Sequence, residues 1–395
     1  MSTRESRQFK NICFAIEGLS SFSVAFYSYY IYFLMRDRFG FSGRDNLAFA
    51  ALNGLIYVFS AWQGGRFGQR RGYFNAFKAG FGIMILALAA GWWWFDSALG
   101  LVLATGAFNV GMCFIWPTLE ALVSEGEDAV GLPRMVGTYN VVWAATNALA
   151  LFGGGTLVEK FGFKTIFSLP LAVFIALLAL VFWLQRHPHA ARAGSHGPAP
   201  ASALDPHRPS PAKARAFLRM AWLANPVAYI AINTFIPLLP TLAAHFRLTP
   251  MFAGFACSLW GFMRLGTFVV LWAWTDWHYR FRWLVTAFAL LIVSFAAILI
   301  VPNLAVLLLA QIFFGAAIGL IYYSSLFYAM DAGEAKGENG GIHEAAIGVG
   351  NCIGPAVGAA SLQWMPQYAN SGTLAVSALL LCGFGALLAI WKTAR

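Results

Sequence analysis

The chain has 395 residues, 59% of them hydrophobic and 11% charged, and a formal net charge of +10. A soluble domain carries roughly 25% charged residues to wet its surface, so an ordinary soluble enzyme and a disordered scaffold are both excluded. With a mean hydropathy of +0.67, the chain reads as a bilayer protein. Its 36 phenylalanines, 15 tryptophans and 13 tyrosines suit lipid contact and interfacial belts, and its 39 glycines suit close helix packing.

A spanning helix takes about 20 mostly apolar residues. Cutting at polar and Gly/Pro punctuation predicts twelve: 10–35, 45–64, 74–95, 98–122, 135–157, 164–185, 216–243, 249–274, 283–301, 304–330, 342–364 and 371–391. The segments lack the short alternation of a membrane barrel. The opening MSTRESRQFK runs into the first span with no small-residue cleavage site, so no removable signal peptide is expected. Trp92, Trp93 and Trp94, at the end of the third span, read as an outer interfacial belt.

With the N-terminus inside, 19 of the 26 Lys and Arg residues fall on the cytoplasmic side. Six lie outside (Arg36, Arg38, Arg44, Lys160, Lys164 and Arg247), and Arg264 lies within a span. This asymmetry puts both termini in the cytoplasm of an inner (plasma) membrane, and it accounts for the charge without nucleic acid. Residues 186–215, rich in Pro, Ala, Ser and His, read as a flexible cytoplasmic linker between six-helix bundles at 1–185 and 216–395. The irregular spacing of His187, His189, His196 and His207 fits a solvated linker rather than a metal tract. The cysteines Cys13, Cys113, Cys257, Cys352 and Cys382 sit in apolar stretches without ligand spacing, so packing is their expected role and neither metal nor cofactor is implied.

The halves repeat at an offset near 207: GMCFIWPTLEAL (111–122) meets GLIYYSSLFYAM (319–330), and TNALALFGGG (146–155) meets GNCIGPAVGA (350–359). Parallel six-helix repeats with a midplane substrate site are the layout of one large class of transporters.

GRFGQRRGYF (65–74) resembles the signature of the major facilitator superfamily, G-x-L-A-D-R-x-G-R-R. Gly65, Phe67, Gly68, Arg70 and Gly72 fit, and Gln69 replaces the usual Asp. With the spans, linker and half repeat, the resemblance covers essentially the whole chain. It implies an all-α membrane protein of two six-helix bundles related by a pseudo-two-fold axis. Such a protein moves a small molecule by alternating access, as a monomer. It further implies that spans 1, 4, 7 and 10 line a cavity and spans 2, 5, 8 and 11 flank the interface between halves. A cytoplasmic latch is implied too, with Arg70 pairing to Glu120, and Asp276 with Arg280 and Asp331 as the counterpart in the second half. Gln69 carries no charge, which weakens the first latch. The bland reading is that Arg70 and Arg71 only anchor topology. Gly341, Gly350, Gly354, Pro355 and Gly358 fit G-x8-G-x3-G-P-x2-G, resembling the signature of the antiporter branch but in span 11 rather than span 5. Close helix packing accounts for the same residues.

A charge at helix depth costs at least about 2.5–3.5 kcal/mol, so each one implies a partner or an aqueous path. Glu17 in span 1 and Arg264 in span 8 are expected at comparable depth. On the functional reading Glu17 exchanges protons, and Arg264 binds an anionic substrate group or tunes Glu17; on the other the two form a static ion pair. His343 and Glu344 are further proton-coupling candidates or, equally, helix caps. Candidate cavity groups are Asn109 and Trp116 (span 4), Asn233 and Thr234 (span 7), and Gln311, Tyr322, Tyr323, Ser324 and Ser325 (span 10). Spans 5 and 11 add Asn140, Trp143, Asn147 and Asn351. Aromatic faces with a few amides suit sugars or amphipathic organic molecules.

No phosphate loop and no hydrolase motif is present, so the sequence reads as a gradient-driven transporter and not an enzyme. Proton-coupled efflux of an amphipathic organic compound is favoured. Uptake of a sugar or organic acid is the alternative, and a transporter-like receptor or assembly factor is the alternative of another class.

Overall fold

The computed structural model describes residues 3–124, 131–186, 210–274, 276–331 and 338–393. Among these residues every regular element is a helix. The first half gives α1 (Thr3–Phe39), α2 (Gly43–Arg71), α3 (Tyr73–Trp93), α4 (Ala98–Ser124), α5 (Gly131–Phe161) and α6 (Thr165–Arg186). The second gives α7 (Pro211–His245), α8 (Pro250–Cys257), α9 (Leu259–Ala273), α10 (Phe281–Ile300), α11 (Leu304–Asp331), α12 (Glu338–Trp364) and α13 (Ser371–Thr393). Twelve stretches are long and apolar enough to cross a membrane, α8 and α9 together making the eighth. The linker histidines lie outside the described residues.

Local chemistry sets the boundaries. Ser42 opens α2 with a capping box: its hydroxyl accepts from the Asp45 N–H, and the Asp45 carboxylate accepts from the Ser42 N–H at 3.0 Å. Ser210–Pro211 and Thr249–Pro250 open α7 and α8 with a hydroxyl cap followed by proline. The signature segment is not an open loop. Residues 65–71 continue α2, and Gly72 alone, at φ +90°, joins it to α3. That conformation costs a glycine nothing and strains any residue with a Cβ.

The boundaries depart from expectation in two ways. Several helices run past their apolar stretch into polar residues, because backbone hydrogen bonding continues beyond the hydrocarbon. The eighth span, expected to be one helix, breaks at the buried Ser258, whose Oγ donates to the Phe255 carbonyl at 3.1 Å. A serine that bonds its own backbone competes with the helical ladder.

The surface is apolar. Leu86, Leu103, Val293 and Leu309 are more than half exposed, as lipid-facing side chains should be, and Trp93 is 84% exposed. Lys164 Nζ stands 5.3 Å from the Trp92 ring. Polar groups turn inward instead, among them Asn46, Asn140, Gln311 and Ser324.

Helices from the two halves meet along two seams where glycines remove the side chain. In one, α2 lies on α12: Gly54 presses on the backbone of Asn351 and Cys352, and a Cβ on Gly358 would stand 3.2 Å from Leu47. In the other, α5 lies on α8 and α9: Gly155 meets Pro250, and a Cβ on Gly254 would stand 2.7 Å from the Leu151 carbonyl. The Gly350–Gly354 stripe serves packing of α12 on α7. A Cβ at Gly354 would fall 2.7 Å from Thr234 Oγ1, and one at Gly350 2.8 Å from Tyr229 Cβ. At the end of the bundle away from the termini, Asn46 Nδ2 donates to the Pro237 carbonyl at 3.3 Å, and the Met251 N–H donates to Glu159 at 3.1 Å. At the end bearing the termini, Lys10 Nζ donates at 2.9 Å to the Val123 carbonyl, placing a cation on the negative pole of α4.

Candidate functional site

Arg264 sits in the middle of α9, one turn beyond Trp260 and one turn before Phe268 on the same helix face. It is only 4% exposed. Its guanidinium carbon lies 4.4 Å from the Trp143 ring of α5 and 4.9 Å from the Trp260 ring, so residues of both halves flank one cation. Trp143 is held in turn: its indole N–H donates to Asn140 Oδ1 at 2.9 Å, and its ring packs edge-on against Phe268 at 5.6 Å and Tyr322 at 5.3 Å. Tyr29, Tyr229 and Tyr322 complete the electrostatic surroundings of the guanidinium. The Tyr29 hydroxyl donates to Asn147 Oδ1. Among the described residues no acid pairs with Arg264, and its Nε and Nη2 have no hydrogen-bond partner.

A second polar centre lies nearer the end that bears the termini. Glu17 of α1 is 1% exposed. Ser21 Oγ donates to its Oε1 at 2.8 Å, while its Oε2 has no hydrogen-bond partner among the described residues. Tyr139 of α5 is its other polar neighbour, and Glu344 of α12 faces it electrostatically. Glu120 of α4 feels both acids. The Tyr57 hydroxyl of α2 donates to Glu344 Oε2, a hydrogen bond between the halves.

No ion pair joins Glu17 to Arg264 among the described residues. The two stand at similar depth along α5, since Gly18, beside Glu17, packs on Val142 and Thr146, and Arg264 lies over Trp143.

The remaining candidates divide. Trp143, Tyr322, Asn140 and Asn147 gather around Arg264. Asn233 Nδ2 donates to Asn351 Oδ1 at 2.6 Å and ties α7 to α12 beside Tyr229. Four candidates are engaged in hydrogen bonds within the bundle. Asn109 Nδ2 donates to Asn53 Oδ1 at 2.7 Å and ties α4 to α2. Gln311 Nε2 donates to the Ala256 carbonyl at 2.8 Å, holding α11 to α8. Ser324 bonds its own helix at the Ile321 carbonyl, and Thr234 does likewise at Ile230. A polar group at that depth must be met within the protein, and here donors bond their own backbone or a neighbouring helix, while Gln311 Oε1 has no partner among the described residues. Trp116 and Ser325 are partly and fully buried, and Tyr323 packs towards Trp277 at 5.9 Å.

For the latch, Gly65 is buried while Gln69 and Arg70 are exposed. Arg70 makes no ion pair with Glu120, whose electrostatic partners are the two other acids. Asp276 and Arg280 lie 3.9 Å apart, both exposed. Asp331, Gly341 and His343 supply backbone to α11 and α12, and their surroundings lie outside the described residues. Sequence reasoning missed Tyr29, Tyr57, Tyr139, Tyr229 and Trp260. Helical spacing was the available signal, since Trp260–Arg264–Phe268, Tyr139–Trp143–Asn147 and Tyr229–Asn233 each recur every fourth residue.

No curated protein sequence matches the chain. Solved structures do match in fold. The human organic anion transporter MFSD10 (TETRAN) is 14% identical with a TM-score of 0.68, over 98% of this chain and 100% of that one. A POT family peptide transporter in an auto-inhibited form is 12% identical with a TM-score of 0.72, over 98% and 97%. A structure from work on substrate recognition in proton dependent oligopeptide transporters is 18% identical with a TM-score of 0.67, over the full length of both chains. The model of the Major Facilitator Superfamily matches residues 14–355. With its twelve apolar spans and all-helical architecture, the chain belongs to the Major Facilitator Superfamily and is a membrane transporter, not an enzyme.

Proposed function

We propose that this transporter carries a small organic solute past Arg264 and Trp143 by alternating access of the two halves, and that protons bound near Glu17 drive it. One observation carries the coupling. Glu17, Glu120 and Glu344, contributed by both halves, act on one another electrostatically, and no cation pairs with any of them among the described residues. Among the described residues no ion pair offsets their combined charge, so proton binding and release change the stability of the arrangement that brings them together. A helix-depth charge costs at least about 2.5–3.5 kcal/mol, enough to bias a two-state equilibrium severalfold or more. The Tyr57–Glu344 hydrogen bond crosses between halves, so separating α2 from α12 there breaks it.

Uptake and efflux share this mechanism. The glycine–proline stripe that resembled an antiporter signature is accounted for by packing of α12 on α7 and α2, so it supports neither direction. The basic asymmetry supports cytoplasmic termini in an inner membrane. Purified protein in liposomes with a trapped pH dye tests the coupling. A pooled solute screen should produce substrate-dependent proton movement that disappears in Glu17→Gln. Solute movement with no proton flux in the unaltered protein overturns the coupling.

A further inference from the structure

We infer that the solute is an organic anion with a flat, unsaturated body, whose carboxylate is held by Nε and Nη2 of Arg264. This deepens the transport reading by naming the class of solute for the same site.

The argument begins with an unmet donor pair. Arg264 is almost wholly buried, has no acidic partner among the described residues, and leaves Nε and Nη2 without an acceptor. These two nitrogens form one edge of the guanidinium, where two parallel N–H bonds match the two oxygens of a carboxylate. The faces of the cation are taken: Trp143 and Trp260 lie 4.4 and 4.9 Å from its carbon. Its orientation is therefore set before any ligand arrives, and the edge is what remains to be bound. A buried charge without a partner is costly, and among the described residues no acid supplies the partner.

The neighbours sharpen the class. Trp260 Nε1 and Asn140 Nδ2 are buried donors that also lack acceptors, so the layer around Arg264 is short of acceptors rather than donors. A cation or an amine would worsen that balance, whereas an oxyanion corrects it. Trp143, Phe268, Tyr322 and Tyr229 pack on one another with centroids 5.3–6.3 Å apart, making the neighbourhood of Arg264 an aromatic cluster of the kind a flat apolar body packs against. The break in the eighth span at Ser258 falls six residues before Arg264. Interrupted helices are a recurring way of building midplane substrate sites in transporters. Because Trp143 and Arg264 come from opposite halves, an anion at this edge changes the charge at the seam along which the halves move.

Isothermal titration calorimetry on the full chain in lipid nanodiscs tests this with benzoate, benzenesulfonate, acetate, benzamide and benzylamine. Benzoate should bind saturably, with benzamide at least tenfold weaker and benzylamine absent. Acetate, which lacks the ring, should be weaker than benzoate, and the sulfonate arm shows whether a different oxyanion is preferred. Arg264→Gln should abolish benzoate binding. Arg264→Lys should weaken it at least tenfold, because an ammonium keeps the charge but not the planar pair of donors. The comparison of benzoate with benzamide needs no variant, so misfolding of a mutant leaves the test intact. Benzamide binding as tightly as benzoate, absence of binding by every aromatic anion, or undiminished benzoate binding by Arg264→Gln would each overturn the inference. The two readings fail separately. Benzoate binding without proton flux in liposomes refutes the coupling alone, and proton flux driven only by a sugar or a cation refutes the anion alone.

Discussion

The run Gly153–Gly154–Gly155 in α5 offers an internally controlled test of the seam between halves. A Cβ at Gly155 would overlap the Pro250 carbonyl, 2.6 Å from its carbon and 2.9 Å from Met251 Cα, whereas a Cβ at Gly153 would meet nothing within 4 Å. Both positions are helical, so replacing either glycine by alanine gains a similar ~1 kcal/mol of helix propensity. That gain cancels when the two variants are compared, leaving packing as the difference. The atoms facing Gly155 are backbone at the start of α8, which cannot rotate away, so the helix itself must shift. Overpacking of this kind costs about 1–3 kcal/mol. Gly155→Ala should therefore be less stable than Gly153→Ala by about 1–3 kcal/mol, with Gly153→Ala at or slightly above the unaltered protein. Reversible unfolding by sodium dodecyl sulfate in mixed micelles measures both. Equal stabilities would refute the reasoning, because they would mean that α5 and α8 do not approach closely enough for glycine to matter.

Two further outcomes follow from the hydrogen bonds. Asn109→Ala leaves Asn53 Oδ1 without its donor and should cost about 1–3 kcal/mol of stability, while leaving benzoate affinity within twofold, as calorimetry on the same variant checks. Tyr57→Phe removes the donor to Glu344 with little change of shape. It should lower stability by about 1–3 kcal/mol and slow substrate-driven proton movement in liposomes; unaltered values of both would mean that this bond between halves has no role.

Hydropathy was sufficient to find twelve spans, since every stretch of hydrocarbon must be crossed by an apolar helix whose own backbone is satisfied. The glycine–proline stripe was legible as a packing device on the same grounds. Arg264 and Glu17 stood out because charge at that depth is expensive wherever its partner lies. What composition and spacing could not reach was which partner each charge has. Which residues become neighbours is settled only when helices from different parts of the chain are set side by side. Tertiary packing left Glu17 and Arg264 without an ion pair among the described residues and drew Glu120 and Glu344 towards Glu17. It clamped Arg264 between Trp143 and Trp260 and turned Asn109, Gln311 and Ser324 to structural use. The physical reason is the range of the two effects. Burial from water acts on each segment separately and is written along the chain, whereas hydrogen bonds, stacking and ion pairs act over a few ångströms and exist only once the helices have met.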